Sequence, residues 1–184
     1  MDHFEAIAKT LLEAEGYWVR QSFKVNLTKE EKRRIGKPSI PRPEIDLLAY
    51  RPGEDTVIAL EAKSFLDSYG VRVEELQESY EIPEGRYKLF TCANYRNIVF
   101  ARLRQDLLDC GMGTPETQVK LGLVTGKVYR GKSDELRTYM QSQGWLLWSP
   151  EEVRQKVLQL ASMGYENEPA IITAKILLRG APDV

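Results

Sequence analysis

The sequence predicts an α/β domain in which helices flank a central mixed β-sheet. Two observations indicate this class. Residues 42–64 form two apolar, strand-like runs around a tight turn, and the rest of the chain alternates between helical and strand-like periodicity. A chain of 184 residues is long enough to bury a substantial core as one domain.

The segment before the hairpin predicts a helix, a strand and a shorter helix. Apolar residues recur at helical spacing from Phe4 to Leu12, and Gly16 is a typical helix end. The alternating segment 16–25 predicts a strand. The polar segment 28–37 opens with the spacing of a capping box, which predicts a short exposed helix.

The segments after the hairpin are predicted to alternate in the same way. Their order is helix 71–82, buried strand 87–94, helix 97–111, strand 118–129, helix 133–144, short strand 144–148, helix 149–164 and last helix 168–180. No internal repeat or break in composition marks a second domain, so residues 1–184 are expected to form a single domain. The alternative is that residues 149–184 pack as a C-terminal helical appendage.

Composition excludes several classes of protein. The net charge of −1 is not that of a polycation that binds nucleic acid unaided. Cys92 and Cys110 form neither a metal-binding pair nor a disulfide framework, and His3, the single histidine, argues against His-rich zinc sites and Ser-His-Asp triads. No apolar run approaches the roughly 20 residues that span a bilayer, and the amphipathic N-terminus is no signal peptide. We therefore expect a soluble cytoplasmic protein without a membrane partner.

The hairpin places charged residues inside otherwise apolar strands. If its strands pair symmetrically around the turn PGED, Asp46 lies opposite Glu61 and Glu44 lies opposite Lys63. Glu61 and Lys63 are two residues apart and so project from the same face. Opposed carboxylates destabilise a sheet unless a cation lies between them, and a hard ion such as Mg²⁺ suits carboxylate oxygens. The alternative is a structural ion pair of Lys63 with Glu61 or Glu44.

These residues resemble the motif of the PD-(D/E)XK nuclease superfamily, which has the restriction-endonuclease-like fold. The matching positions are Asp46 in PEIDLLAY and Glu61-Ala62-Lys63 in VIALEAKS, and the resemblance covers roughly residues 1 to 110. The chain departs from the motif at its proline, because Pro43 lies three residues before Asp46.

The resemblance implies a metal-dependent deoxyribonuclease, expected to be an endonuclease. Asp46, Glu61 and the carbonyl of Ala62 would bind Mg²⁺, for which Mn²⁺ could substitute. Lys63 would orient the attacking water and offset charge on the phosphate in the transition state.

Two further positions match less closely. Glu5 on the first helix corresponds to an acidic residue that members of the superfamily often carry near the site. Gln77, in the helix after Lys63, resembles a polar position beside the metal. Both are expected to be outer contributors to catalysis, and an exposed surface position is the alternative for each.

A basic segment leads directly into the hairpin. Residues 24–42 carry seven basic side chains against two acidic ones, and the basic ones are Lys24, Lys29, Lys32, Arg33, Arg34, Lys37 and Arg42. Such a segment predicts contacts with a DNA backbone that fix position without reading sequence. A second strip of Arg96, Arg102 and Arg104 could add to it. The alternative for both strips is a solvated helix surface.

Two other functional classes stay open. The chain could be a catalytically inactive nucleic-acid-binding or scaffolding module of the same fold, or an unrelated structural domain with an ordinary salt bridge in its hairpin. If the protein cuts both strands of DNA, a two-fold homodimer is plausible.

Overall fold

The computed structural model of the protein describes residues 2–51 and 53–178. Its centre is a five-stranded sheet with its strands in sequence order: β1 Trp18–Lys24, β2 Glu44–Arg51, β3 Thr56–Lys63, β4 Gln118–Thr125 and β5 Leu146–Trp148. β2 pairs antiparallel with both β1 and β3, whereas β4 pairs parallel with both β3 and β5. The predicted α/β class with a mixed sheet is therefore confirmed.

Eight helices and a 3-10 turn at Tyr129–Gly131 surround the sheet in the described residues. The helices are α1 His3–Ala14, α2 Lys29–Arg34, α3 Val73–Leu76, α4 Lys88–Thr91, α5 Ala93–Asp109, α6 Ser133–Ser142, α7 Pro150–Leu160 and α8 Pro169–Leu178. The predicted capping box of α2 is present between Thr28 and Glu31, and α7 opens with the same device. Among residues 2–51 and 53–178, no helix is both long enough and apolar enough to cross a membrane.

Each face of the sheet packs against its own hydrophobic cluster. One cluster contains buried residues of α3, α5 and α6, among them Leu76, Tyr95 and Leu136. The other combines α1 with the last two helices, whose Leu160 and Ile171 are buried there. The helices after residue 149 thus share a sheet face with α1. β3 contributes alternate residues to both clusters and is covered on both faces.

Three predicted segments differ from the structure. The predicted strand 87–94 is wrong, because α4 and the first turn of α5 occupy it; a short apolar run is buried equally well as helix or strand. The predicted helix 71–82 shrinks to four residues, and strand 118–129 ends at Thr125. The predicted end of the last helix, 179–180, lies outside the described residues.

The β1–β2 ladder is distorted beside Asp46. All positions from Trp18 to Lys24 pair in one register except Ser22, which has a φ of +51° and no ladder partner. Across this point β2 rotates, so Ile45 and Leu47 pack on opposite faces although they are two residues apart. A left-handed serine costs free energy and occurs where the surrounding structure holds it. In the register of the flanking pairs Ser22 would face Asp46, so the distortion lies directly beside a residue of the predicted site.

Candidate active site

Three charged side chains converge at the C-terminal end of β3. The Nζ atom of Lys63 lies 3.2 Å from Oδ2 of Asp46 and 3.1 Å from Oε2 of Glu61. The three side chains are only 12–21% exposed. Oδ2 of Asp46 also accepts a hydrogen bond of 2.9 Å from the backbone N–H of Ala62. The structure therefore brings together the three central residues of the predicted site.

The hairpin register agrees with the prediction as far as the ladder extends. The ladder pairs of β2 and β3 run from Arg51–Thr56 to Leu47–Leu60 in the predicted register. Beyond that point the described ladder contains no Asp46–Glu61 pair, and Asp46 instead caps the amide of Ala62. Glu44 pairs with Lys24 on β1 at 3.8 Å instead of facing Lys63. The repulsion expected between the two carboxylates is offset by the Lys63 ammonium between them.

Burial changes the acidity of the two β3 side chains. The pKa of Glu61 is raised to about 7, first by burial and then by the negative charge of Asp46, against the opposing effect of Lys63. Burial alone would lower the pKa of Lys63, but the adjacent carboxylates of Glu61 and Asp46 outweigh it and raise that pKa. Lys63 therefore stays positively charged at neutral pH, while the raised pKa of Glu61 favours its protonated form more than in an ordinary glutamate.

The two outer positions are placed differently. Glu5 lies half-buried in the first turn of α1, and its pKa is raised by burial and then by the charge of Asp46, so its carboxyl lies within electrostatic range of the cluster. Gln77 is the C-cap of α3 and is exposed. Within the described part of the chain its side chain makes no hydrogen bond, so nothing joins it to the three charged residues.

The segment mistaken for a strand supplies residues that sequence reasoning missed. Lys88, the first residue of α4, has its Nζ atom 5.7 Å from the ring centroid of buried Tyr95. The positive charge of Lys88 contributes to lowering the pKa of Glu61, and among the described residues Lys88 has no ion-pair partner. The Tyr87 hydroxyl is buried without a hydrogen-bond partner in the same residues, and burial raises its pKa to about 12. In the sequence, the one signal for a functional residue in this segment was the position of Lys88 inside an otherwise apolar run.

Several side chains of the two predicted basic strips are engaged in contacts within the protein. Arg102 forms a bidentate ion pair with Glu31 at 2.8 Å, which fastens α2 to α5, and Arg96 donates to two backbone carbonyls. Lys37 donates to the carbonyl of Pro83. The exposed members of the strips are Lys24, Lys29, Arg33, Arg34, Arg42 and Arg104, and Lys32 is half-buried. Of the exposed ones, Lys24 and Arg33 form surface ion pairs with Glu44 and Glu30.

The chemistry of the cluster fits a hard divalent cation. Oδ1 of Asp46 and Oε1 of Glu61 have no hydrogen-bond donor among the described residues, so each carboxylate keeps one free oxygen. In the same part of the chain, no three side chains of His, Cys, Asp or Glu are grouped so as to hold a metal ion by themselves. Mg²⁺ requires no such group, because it commonly binds one or two carboxylates and keeps its waters or takes substrate phosphate oxygens.

No protein-family profile and no curated protein sequence matches the chain. Among solved structures, the chain is similar to the crystal structure of a protein of unknown function, AF1548, at 16% sequence identity and a TM-score of 0.40. The alignment covers 96% of this chain and 97% of that one. A likeness at this level supports no inference about fold family or function, which has to come from the site itself.

Proposed function

We propose that the protein is a metal-dependent nuclease with a restriction-endonuclease-like fold that hydrolyses phosphodiester bonds in DNA. The observation that supports this best is the ammonium of Lys63, held between Asp46 and Glu61 where β3 ends. Charged groups are rarely buried without a function or a partner, and ligands of α/β sheets commonly bind outside the carboxyl ends of the strands.

The proposed roles follow from the geometry. Asp46, Glu61 and the carbonyl of Ala62 would hold Mg²⁺ or Mn²⁺, which when bound polarises the phosphodiester and lowers the pKa of water. Lys63 donates to both carboxylates and is well placed to orient the attacking water and to neutralise charge that develops on the phosphate. Lys88 offers a second ammonium on the Glu61 side, and Glu5 borders the Asp46 side.

Binding energy would come from other parts of the surface. Exposed cations at Lys29, Arg33, Arg34 and Arg42 would contact DNA phosphates near the start of β2. Such contacts position a strand without sequence preference, so they leave the base specificity of the protein open.

The experiment that tests this function is degradation of plasmid DNA with Mg²⁺ or Mn²⁺, compared with chelator. Lys63→Ala should abolish metal-dependent cleavage and retain DNA affinity, because Lys63 acts in the transition state. Lys9→Ala, which breaks an ordinary surface ion pair with Glu13 on α1, is the matched control and should cleave normally. Unchanged cleavage by Lys63→Ala would remove the nuclease assignment from this cluster.

One observation favours a second candidate, a structural role. Each carboxylate already has a cationic partner in Lys63, so the three side chains could serve only to hold the sheet together. A protein of this kind, or an inactive DNA-binding module, would not degrade DNA in any metal. A DNA-binding titration in chelator then separates the two, because only the module binds.

A further inference from the structure

The loops that follow β3 and β4 carry a cluster of aromatic and cationic side chains, two of them exposed and two half-buried. It consists of Tyr69, Arg72, Tyr129 and Arg130, which we call the loop platform. The rings of Tyr69 and Tyr129 are edge-to-face with centroids 6.4 Å apart. The guanidinium carbon of Arg72 lies 5.7 Å from the Tyr69 centroid and 4.6 Å from that of Tyr129, and that of Arg130 lies 5.1 Å from the latter.

Backbone hydrogen bonds hold the two loops of the platform together. The N–H of Val71 donates to the carbonyl of Lys127 at 2.9 Å, and the N–H of Tyr129 donates to the carbonyl of Val71 at 2.8 Å. Gly70 has a φ of +92°, and a Cβ there would lie 2.9 Å from the backbone N of Tyr129. Because the loops approach this closely, the backbone that carries the platform is held by its own hydrogen bonds.

The platform offers an open aromatic surface beside an unpaired cation. Tyr69 is 75% exposed. Segments 64–72 and 126–132 together carry four cationic side chains against one carboxylate. Two of the four are paired with carboxylates outside these segments, because Lys132 contacts Glu74 and Arg72 contacts Glu75. The ion pair of Arg72 is long, with its Nε atom 3.9 Å from Oε1 of Glu75. Arg130 forms no ion pair within the described residues. An exposed ring beside the unpaired guanidinium of Arg130 complements a ligand that is both flat and anionic.

The platform is close to the candidate active site along the chain. The N–H of Gly126 donates to the carbonyl of Lys63 at 3.0 Å. The loop that follows β4 therefore begins beside Lys63, where the loop that follows β3 also begins. Tyr69 is six residues beyond Lys63, and six residues of extended chain reach at most about 20 Å. At a stacked spacing of about 3.4 Å per nucleotide, this distance corresponds to about six nucleotides.

From this geometry we propose that the loop platform binds an unpaired stretch of DNA leading to the Lys63 site. A base stacks on the exposed face of Tyr69, and Arg72 and Arg130 contact the adjacent phosphates. The inference rests on the proposed nuclease function for the nature of the ligand. It specifies the substrate class as DNA with a single-stranded segment, such as an overhang or flap, because the bases of a continuous duplex are already stacked on one another.

The test measures the affinity of a fluorescently labelled 20-nucleotide strand and of the matching blunt duplex, in chelator so that no cleavage occurs. Tyr69→Ala should weaken binding of the single strand about fivefold or more and leave duplex affinity unchanged, since one stacked base contributes at least about that factor. Tyr69→Trp should bind the single strand at least as tightly as the wild type. Tyr165→Ala, at a 91% exposed tyrosine outside the platform, is the matched control and should not change either affinity.

The outcomes separate this inference from the proposed nuclease function. Single-strand affinity of Tyr69→Ala equal to that of Tyr165→Ala would overturn the platform, even if the wild type cleaves DNA. An equal loss of affinity for the single strand and the duplex in Tyr69→Ala would also overturn the platform, because the surface would then recognise only the charge of the DNA. A selective loss in Tyr69→Ala, retained binding in Lys63→Ala and no cleavage by the wild type would support the platform and refute the nuclease.

Discussion

Replacing Glu61 by glutamine is expected to stabilise the metal-free protein at alkaline pH. The ordinary pKa of this carboxyl is 4.5, and in the folded protein it is about 7. At about 1.4 kcal/mol for each pH unit, keeping Glu61 ionised in the folded state costs about 3 kcal/mol relative to the unfolded chain. Glutamine has nearly the same shape as protonated glutamate and carries no charge, so the variant avoids this cost.

The sign of the pH dependence follows from linkage. Between pH 4.5 and about 7 the folded wild type binds a proton that the unfolded chain has released. The stability that Glu61 contributes is therefore fully present below pH 4.5 and is lost as the pH rises to about 7. Glu61→Gln should match the wild type near pH 4.5 and exceed it by up to about 3 kcal/mol at pH 8.

Urea unfolding in chelator at pH 5, 6, 7 and 8, followed by tryptophan fluorescence, measures this difference. Equal m-values are required for the comparison of the free energies of unfolding. Glu13→Gln, which removes one partner of a surface ion pair on α1, is the matched control and should change stability by less than about 1 kcal/mol. If Glu61→Gln is less stable than the wild type at pH 8, the Glu61–Lys63 pair is a net stabilising salt bridge and the reasoning fails.

Three further changes address the metal, the DNA and the second lysine. Asp46→Asn should abolish the stabilisation of the folded protein by Mg²⁺. For the wild type this stabilisation is RT ln(1 + [L]/Kd), which is about 2.7 kcal/mol when the Mg²⁺ concentration is a hundredfold above Kd. An equal shift of Tm in both proteins would refute Asp46 as a ligand of the metal. Changing Lys32, Arg33 and Arg34 together to alanine should weaken DNA binding for every sequence and flatten its dependence on salt, and an unchanged salt slope would place the DNA elsewhere. Lys88→Met should lower kcat about tenfold or more without lowering Tm, because this ammonium has no ion-pair partner among the described residues; an unchanged kcat would leave Lys88 outside catalysis.

The sequence was sufficient to predict the parts of the site that depend on periodicity. A symmetric turn fixes the hairpin register, and two-residue spacing places Glu61 and Lys63 on one face. It was not sufficient for the position of Asp46, because a left-handed Ser22 on the neighbouring strand has no recognisable pattern. The prediction of a strand at residues 87–94 failed for a different reason. Its apolar residues are buried in either conformation, and only the crossover between β3 and β4 selects the helix that presents Lys88.

The mixed sheet divides assembly of the charged cluster between short-range and long-range contacts. Asp46 and Lys63 are joined by a hairpin and separated by 17 residues, so they meet as soon as that hairpin closes. The parallel partner of β3 arrives only after residues 64–117 have crossed over. That crossover includes α4 and α5, whose Lys88 and Tyr95 lie within electrostatic range of Glu61. Loop-closure entropy makes such contacts form late in folding. We therefore expect the charges to meet while they are still hydrated and to lose their hydration only when the crossover packs.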